Sequence, residues 1–248
     1  MALEKIKKAI INVAYRGLGV KVVGGHLISY GSLDQNSTTV DLGGNLGNFS
    51  KSIVEAFNCR SYCIEPNPIL YATIPETDLL KKVNAAVSNE VGEMEFFLSG
   101  NAEASSFNKK IASVWGITNT IKVKTYTLSE LKSTLGISNI DLLKVDIEGA
   151  ELELFESLKD EELLQIPQIT AEFHDFLDPA LLPRTQSVIK RFQSLDFQVI
   201  NYSSQSFAAV LFLNQNMIKL SGKKRIWFVL HNALMNIGRK TMKNGHLS

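Results

Sequence analysis

A chain of 248 residues, 45% apolar and 21% charged, can bury a sizeable core, which excludes wholesale disorder and suits one α/β domain with extensions. No stretch approaches the roughly 18–20 continuous apolar residues of a membrane span, and the basic start MALEKIKKAIINVAYRGLGV has no small-residue cleavage site, which argues against a signal peptide. Cys59 and Cys63 are the only cysteines, a poor zinc signal; they read as core residues of a reducing, cytoplasmic compartment.

The net charge of +1 hides an uneven layout. Residues 1–33 carry five Lys/Arg against Glu4 alone, Phe197–Ser248 carry seven and no acid, and the middle has a balance of −10. Such basic ends suit a phosphate-rich or membrane-surface partner, or equally solvated helices that complement an acidic body. The segment KKRIWFVLHNALMNIGRK, basic and apolar on one side, could lie on a membrane surface, pack as a terminal helix or form a dimer contact.

In chain order, residues 3–14 place Leu3, Ile6, Ile10 and Val13 on one helical face. GLGVKVVGGHLISYGS reads as a short hairpin or a strand with loops. TTVDLGG is a strand ending in glycines, NFSKSIVEAF an amphipathic helix, RSYCIEPNP a strand stopped by prolines and PILYATI a short helix. KKVNAAVS is a third strand; GEMEFFLS and IKVKTYT have β-type content; LSELKSTLG is a helix closed by Gly136. IDLLKVDIEGAELELF gives a strand and then a helix, QITAEFH a strand, ALLPRTQSVIKRFQSL a helix, and FQVINYS with FAAVLFLNQ a closing hairpin. Strands alternating with helices predict a mostly parallel Rossmann-like sheet covered on both faces, with one reversed strand. The expected organisation is a helical and hairpin extension over 1–33, a body over 34–215 and a basic helical extension over 216–248.

Ligands on such sheets sit outside the carboxyl ends of the strands, near the switch point. At the first strand end, VDLGGNLGNFS, Gly43, Gly44 and Gly47 straddle a helix start, where glycine lets backbone approach a ligand. The spacing is not GxGxxG, and Asp41 precedes the turn. An acid there suits a positively charged ligand group better than a pyrophosphate, and S-adenosylmethionine has an ammonium and a sulfonium but no phosphate. Glu65 ends the second strand 24 residues after Asp41, near the spacing at which a carboxylate takes ribose hydroxyls. Asn84, closing the third strand, could lie by an adenine edge.

VDLGGNLGNFS, IEPNP, NAAVSNEVGEMEFF, IKVKTYTLSEL and IDLLKVDIEGAELELF follow one another as in FkbM-type methyltransferases, which this chain resembles from about Thr38 to Leu213. The last segment, Lys-x-Asp-x-Glu-Gly-x-Glu, is the most specific; where the family commonly has Gly-Ala-Asn, this chain has Gly43-Gly44-Asn45. The resemblance implies a class I methyltransferase fold with a seven-stranded sheet, and S-adenosylmethionine-dependent transfer, usually to a hydroxyl of a sugar or other natural product. It assigns Asp41, Gly43, Asn45 and Gly47 to the methionine end of the cofactor and Glu65 to its ribose. Asp146 falls beside the transferring methyl or an acceptor-bound metal.

Alternation along the strand puts Leu142, Lys144, Asp146 and Glu148 on one side, and a buried Lys144 needs a carboxylate partner, Asp146 or Glu148. Glu153 reads as an ordinary first-turn acid, Glu151 as a weaker site candidate. Removing a hydroxyl proton requires a base or a metal. AEFHDF supplies Glu172, His174 and Asp175 at the fifth strand end; His174 is the expected base, beside Asp146 and Glu148. Alternatively Asp146, Glu172 and His174 hold a divalent cation. The expected partner is a small-molecule or glycan acceptor. Nucleic acid is not expected, since no basic–aromatic interleaving appears in the core. The rival readings are a nucleotide- or NAD-using α/β enzyme and a non-catalytic scaffold with a degenerate methyltransferase fold.

Overall fold

The computed structural model describes residues 13–203 and 206–231. Residues 13–18 are helical, and a hairpin follows, β1 (Val20–Val23) and β2 (His26–Ser29). Next come β3 (Thr38–Leu42), α1 (Asn48–Phe57), β4 (Arg60–Ile64), α2 (Pro68–Thr73), β5 (Leu80–Val83) and β6 (Ala86–Val87). The middle of the chain holds β7 (Gly92–Ser99), α3 (Lys109–Ala112), β8 (Ile117–Tyr126), α4 (Leu128–Leu135) and β9 (Leu142–Val145). Then follow α5 (Glu151–Ser157), α6 (Asp160–Leu164), β10 (Gln168–Ala171), α7 (Leu182–Ser194), β11 (Phe197–Asn201) and β12 (Val210–Asn214).

Seven strands make the central sheet in the order β11-β12-β10-β9-β3-β4-β5, and β12 alone runs against its neighbours. This is the Rossmann-like α/β sheet with one reversed strand that the alternation of elements requires. Chain order switches direction between β3 and β9, so the crevice at their carboxyl ends is where a ligand belongs.

Alternation sends Val40, Leu42, Leu143, Val145, Ile169 and Phe212 to one face, under α4, α5 and α7. Phe155, Phe173, Phe192 and Phe212 meet there fully buried, the last two with ring centroids 4.0 Å apart. Each such ring contributes about 2 kcal/mol by burial. On the opposite face α1 packs Phe49 and Ile53 against Ile28 and Leu142, and the hairpin lays Val20 and Leu27 against Leu211 and Leu213. The Gln168 side chain fixes it: Oε1 accepts from the Ser29 N–H at 2.8 Å and Nε2 donates to the Ser29 carbonyl at 3.4 Å. Residues 20–29, expected in an extension, therefore share the core of the body.

The single strand expected over KKVNAAVS is two. The chain leaves the central sheet at Asn84, and β6 pairs instead with β8 in a separate sheet ordered β6-β8-β7. The helix expected over residues 3–14 lies mostly outside the described residues. Residues 222–231 are helical, with Trp227 and Phe228 against Leu18 and its neighbours while Ile226, Val229 and Leu230 are exposed. The rest of the basic C-terminal segment lies outside the described residues. Among those described, no helix is long and apolar enough to cross a membrane.

Candidate active site

A cleft opens at the carboxyl ends of β3, β4 and β9, between the glycine turn and the Glu148 turn, and the segment 102–107 closes over it. Gly43, Asn45, Glu65, Asp146 and Glu148 line it, with Val87, Phe96 and Phe107 supplying an apolar wall.

The glycine turn consumes its donors internally. The Gly43 and Gly44 N–H groups both donate to the Ile64 carbonyl (3.0 and 2.9 Å), Gly47 donates to Gly44, and Asn45 N–H donates to Glu65 Oε2 at 2.7 Å. Three glycines are needed because the turn is wedged against protein: a Cβ on Gly43 would lie 1.7 Å from the Asp146 carbonyl oxygen, and one on Gly44 2.2 Å from Cys63 Sγ. Gly47 caps α1 at φ 73°. Gly44 and Gly47 thus shape the turn from behind, and only Gly43 and Asn45 of this set face the cleft. Gly44 and Gly47 are thus required by close packing within the protein, while Gly43 both packs against the Asp146 carbonyl and lines the cleft.

Glu65 is 5% exposed, its Oε1 accepting from Asn67 N–H at 2.7 Å. Burial pushes its carboxyl up to about 7, although the Asn67 and Asn45 N–H groups and Lys144 oppose the rise. Asn84 does not reach the cleft. It is exposed, and its Nδ2 donates to the Glu65 and Pro66 carbonyls, buttressing the turn that carries Glu65.

Asp41 is sealed from solvent and pairs with Lys144 Nζ at 3.0 Å while accepting from Ser50 Oγ at 2.8 Å. Direct contact between Asp41 and a cofactor is therefore not available. Lys144 reaches Asp146 at 3.6 Å and also donates to the Leu42 and Gly43 carbonyls. Burial would lower its pKa; Asp41 and Asp146 reverse that and hold it charged. The main partner of Lys144 is thus Asp41, not Asp146 or Glu148, because parallel register sets Asp41 beside it across β3 and β9.

Strand alternation stops at Val145. Glu148 has φ 52° and Gly149 φ 95°, a turn tied down by Ser106 Oγ, which donates to the Glu148 carbonyl. Glu151 is 1% exposed and its Oε1 accepts from the Ile147 and Gly149 N–H groups, both at 3.0 Å. The same oxygen meets His174 Nδ1 at 3.1 Å, and Glu148 Oε2 meets His174 Nε2 at 3.2 Å. Burial alone would lower the pKa of His174; Glu151 and Glu148 overcome it and carry it up to about 11. A neutral imidazole is needed to accept a proton. With both ring nitrogens against carboxylates, His174 is arranged to hold Glu148 and Glu151 in place, and Glu148 is the one of the three that lines the cleft.

Asp146 stays well below the usual carboxylate range: burial would raise it, but Lys144 and His26 outweigh burial. Burial raises Glu148, with His174 opposing, and lifts Glu172 to about 7, Asp146 adding to the rise. Asp175 lies behind the site, accepting from Phe207 N–H at 3.2 Å. The acid and histidine donors form two groups that share Asp146: His26–Asp146–Glu172 and Asp146–Glu148–His174. Asp146, Glu172 and His174 do not form a single group. Sequence reasoning missed His26; a histidine directly after Gly24-Gly25, opening an inward-facing strand, was the signal available.

Residues 41–199 match the Methyltransferase FkbM domain family. Methyltransferase 1 of Beauveria bassiana is 25% identical over 163 residues, 56% of this chain and 66% of that one. The 31-O-demethyl-FK506 methyltransferase FkbM of Streptomyces tacrolimicus is 25% identical over 173 residues, 57% of this chain and 66% of that one. The chain thus spans slightly under two thirds of each. A crystal structure of Methyltransferase FkbM from Methylobacillus flagellatus aligns with 14% identity and a TM-score of 0.46, over 78% of this chain and 48% of that one. With the motifs in order and the family matched from Asp41 to Val199, the chain belongs to the FkbM methyltransferase family.

Proposed function

We propose that the protein is an S-adenosylmethionine-dependent O-methyltransferase acting on a hydroxyl of a small-molecule or glycan acceptor. One observation carries the cofactor: the glycine turn has spent its N–H groups on Ile64, Gly44 and Glu65, and it presents the Glu65 carboxylate. A pyrophosphate would find the Gly43, Gly44 and Asn45 donors taken and an acid beside them, whereas ribose hydroxyls and an ammonium find acceptors. Asn45 Oδ1, with no donor among the described residues, adds one for the ammonium. Val87, Phe96 and Phe107 offer apolar surface to a flat base. NAD chemistry fits the cleft poorly for the same reasons.

When bound, S-adenosylmethionine supplies an electrophilic methyl on a positively charged sulfur, already a good leaving group. The chain has to align the acceptor oxygen and take its proton. Glu148 faces the cleft with its Oε2 anchored on His174, and its other oxygen is the acceptor for the hydroxyl proton as the new C–O bond forms. His174 and Glu151 are positioning residues for that carboxylate. The acid-lined rim, with Glu103 opposite Asp146 and Glu148, favours neutral or cationic acceptors and opposes a phosphate backbone.

Calorimetric titration of S-adenosylhomocysteine tests the reading. Micromolar binding, weakened by at least about tenfold in Glu65→Ala through loss of charge-assisted hydrogen bonds, is the expected result. No binding to the wild-type chain would leave a scaffold with a degenerate fold.

A further inference from the structure

We infer that His26, Asp146 and Glu172 form a site for a divalent cation beside the cleft, which Asp146 lines, with the N-terminal hairpin supplying the imidazole. The inference deepens the O-methyltransfer reading and rests on it for the cation's role. His26 Nε2 lies 3.5 Å from Asp146 Oδ2, at the outer limit of a hydrogen bond and close to the spacing of two neighbouring ligands that each sit about 2.1 Å from one metal. A donor atom of Glu172 completes the group, all three lying within 4.8 Å of one another. Among the described residues the Glu172 carboxyl has no hydrogen bond or ion pair, so it is the ligand free to close in.

Two further observations support a cation here. The His26 ring is 8% exposed and held rigidly, edge-on to Phe49 at 5.4 Å, on a strand clamped by Gln168. A buried ring fixed with one nitrogen toward a carboxylate is ready to ligate without reorganisation. The surroundings are also rich in carboxyl groups: Asp41, Asp146, Glu148, Glu151 and Glu172 cluster around Lys144, His174 and His26. The neighbouring group Asp146–Glu148–His174 is unsuited, because both His174 nitrogens already face carboxylates and no lone pair is left for a metal.

One imidazole and two carboxylates suit Mg2+ or Mn2+ and leave coordination positions open. An acceptor hydroxyl in one of them would be held in line with the cofactor and made more acidic, its proton passing to Glu148. The structure thereby gives the hairpin a direct part in chemistry.

Mn2+ titration of the full chain, with free Mn2+ read by electron paramagnetic resonance, tests the site. One Mn2+ per chain is expected, weakened by at least about tenfold in His26→Ala and in Glu172→Gln. In the wild type, Mn2+ should broaden the ring resonances of His26, a readout that needs no variant to fold. Absence of Mn2+ binding, broadening that spares His26, or a loss that follows His174→Asn in place of His26→Ala would overturn it. S-adenosylhomocysteine titrations on the same samples keep the two readings apart: cofactor binding without Mn2+ binding sinks the cation site alone. Mn2+ binding without cofactor binding sinks the methyltransferase reading and keeps the site.

Discussion

The turns after β3 and β9 lie side by side, and each places a non-glycine residue at φ 52°, Asn45 in one and Glu148 in the other. They use that geometry in opposite ways. The first turns its N–H groups inward and is satisfied by the Ile64 carbonyl of β4, by its own Gly44 carbonyl and by Glu65. The second is held by side chains brought from elsewhere, Glu151 from α5, His174 from beyond β10 and Ser106 from the covering segment, and it leaves its carboxylates toward the cleft. On the function proposed above, the difference separates binding from chemistry. A cofactor wall can be built from local backbone, while a catalytic carboxylate needs supports that fix its rotamer and charge.

The sharpest way to break the comparison is at the pair that joins the two turns from beneath. Lys144→Met leaves Asp41 buried with no cation, and a loss of about 3–5 kcal/mol is expected in urea denaturation. Adding Asp41→Asn should recover part of it; no recovery would mean that the pair is not what Lys144 contributes. Next is the contact between the turns. Gly43→Ala puts a Cβ against the Asp146 carbonyl at φ 77°, and roughly 3 kcal/mol of stability should go, with cofactor affinity falling too. Gly136→Ala is the control: its φ is 64° but nothing lies within 4 Å, so about 1 kcal/mol is expected.

The smallest effect sharpens the first turn alone. Glu65 ionises near 7 in the folded chain, where burial and Asp41 raise it, and the Asn67 and Asn45 N–H groups and Lys144 lower it; Glu103, Asp146 and Glu148 also line the cleft it faces. Ribose hydroxyls donate to the ionised form, so cofactor binding below that pKa must expel a proton. Affinity should rise by about fivefold between pH 6 and 7, reach about tenfold by pH 8 and level off above that. Stability runs the other way. The folded chain holds this proton more tightly than the unfolded chain, so its contribution falls as pH rises from about 4.5 to 7. Calorimetry of Glu65→Gln should show a flat profile over the same range; an unchanged slope would assign the titration elsewhere.

Much of the frame was readable from residue order. A run ending in glycines gave β3, one stopped by prolines gave β4, the apolar opening of IDLLKVDIEGAELELF gave β9, and NFSKSIVEAF gave α1 at its observed bounds. Register was not readable. Asp41 and Lys144 are about a hundred residues apart in the chain, and only the parallel pairing of β3 with β9 sets them together. The contacts of His174 were not readable either: they depend on Glu151, which alternation on the preceding strand could not place, because the chain turns left-handed at Glu148 and Gly149 first. His26 escaped because its position depends on where a hairpin lands, and that is decided by apolar residues on β11 and β12 together with Gln168 of β10.

The Gln168 clamp on Ser29 carries one more consequence, for the time at which the protein becomes complete. It joins residues 139 apart, and β10 and β12 must stand before the hairpin can seat. The wall that holds Glu65 closes over a far shorter loop, from Asn45 to Glu65, a separation of 20. Closing the longer loop costs more chain entropy, and contacts of that span form late. A growing chain would thus own a cofactor shelf well before it owns His26 at the other end, so the half that binds matures ahead of the half that reacts.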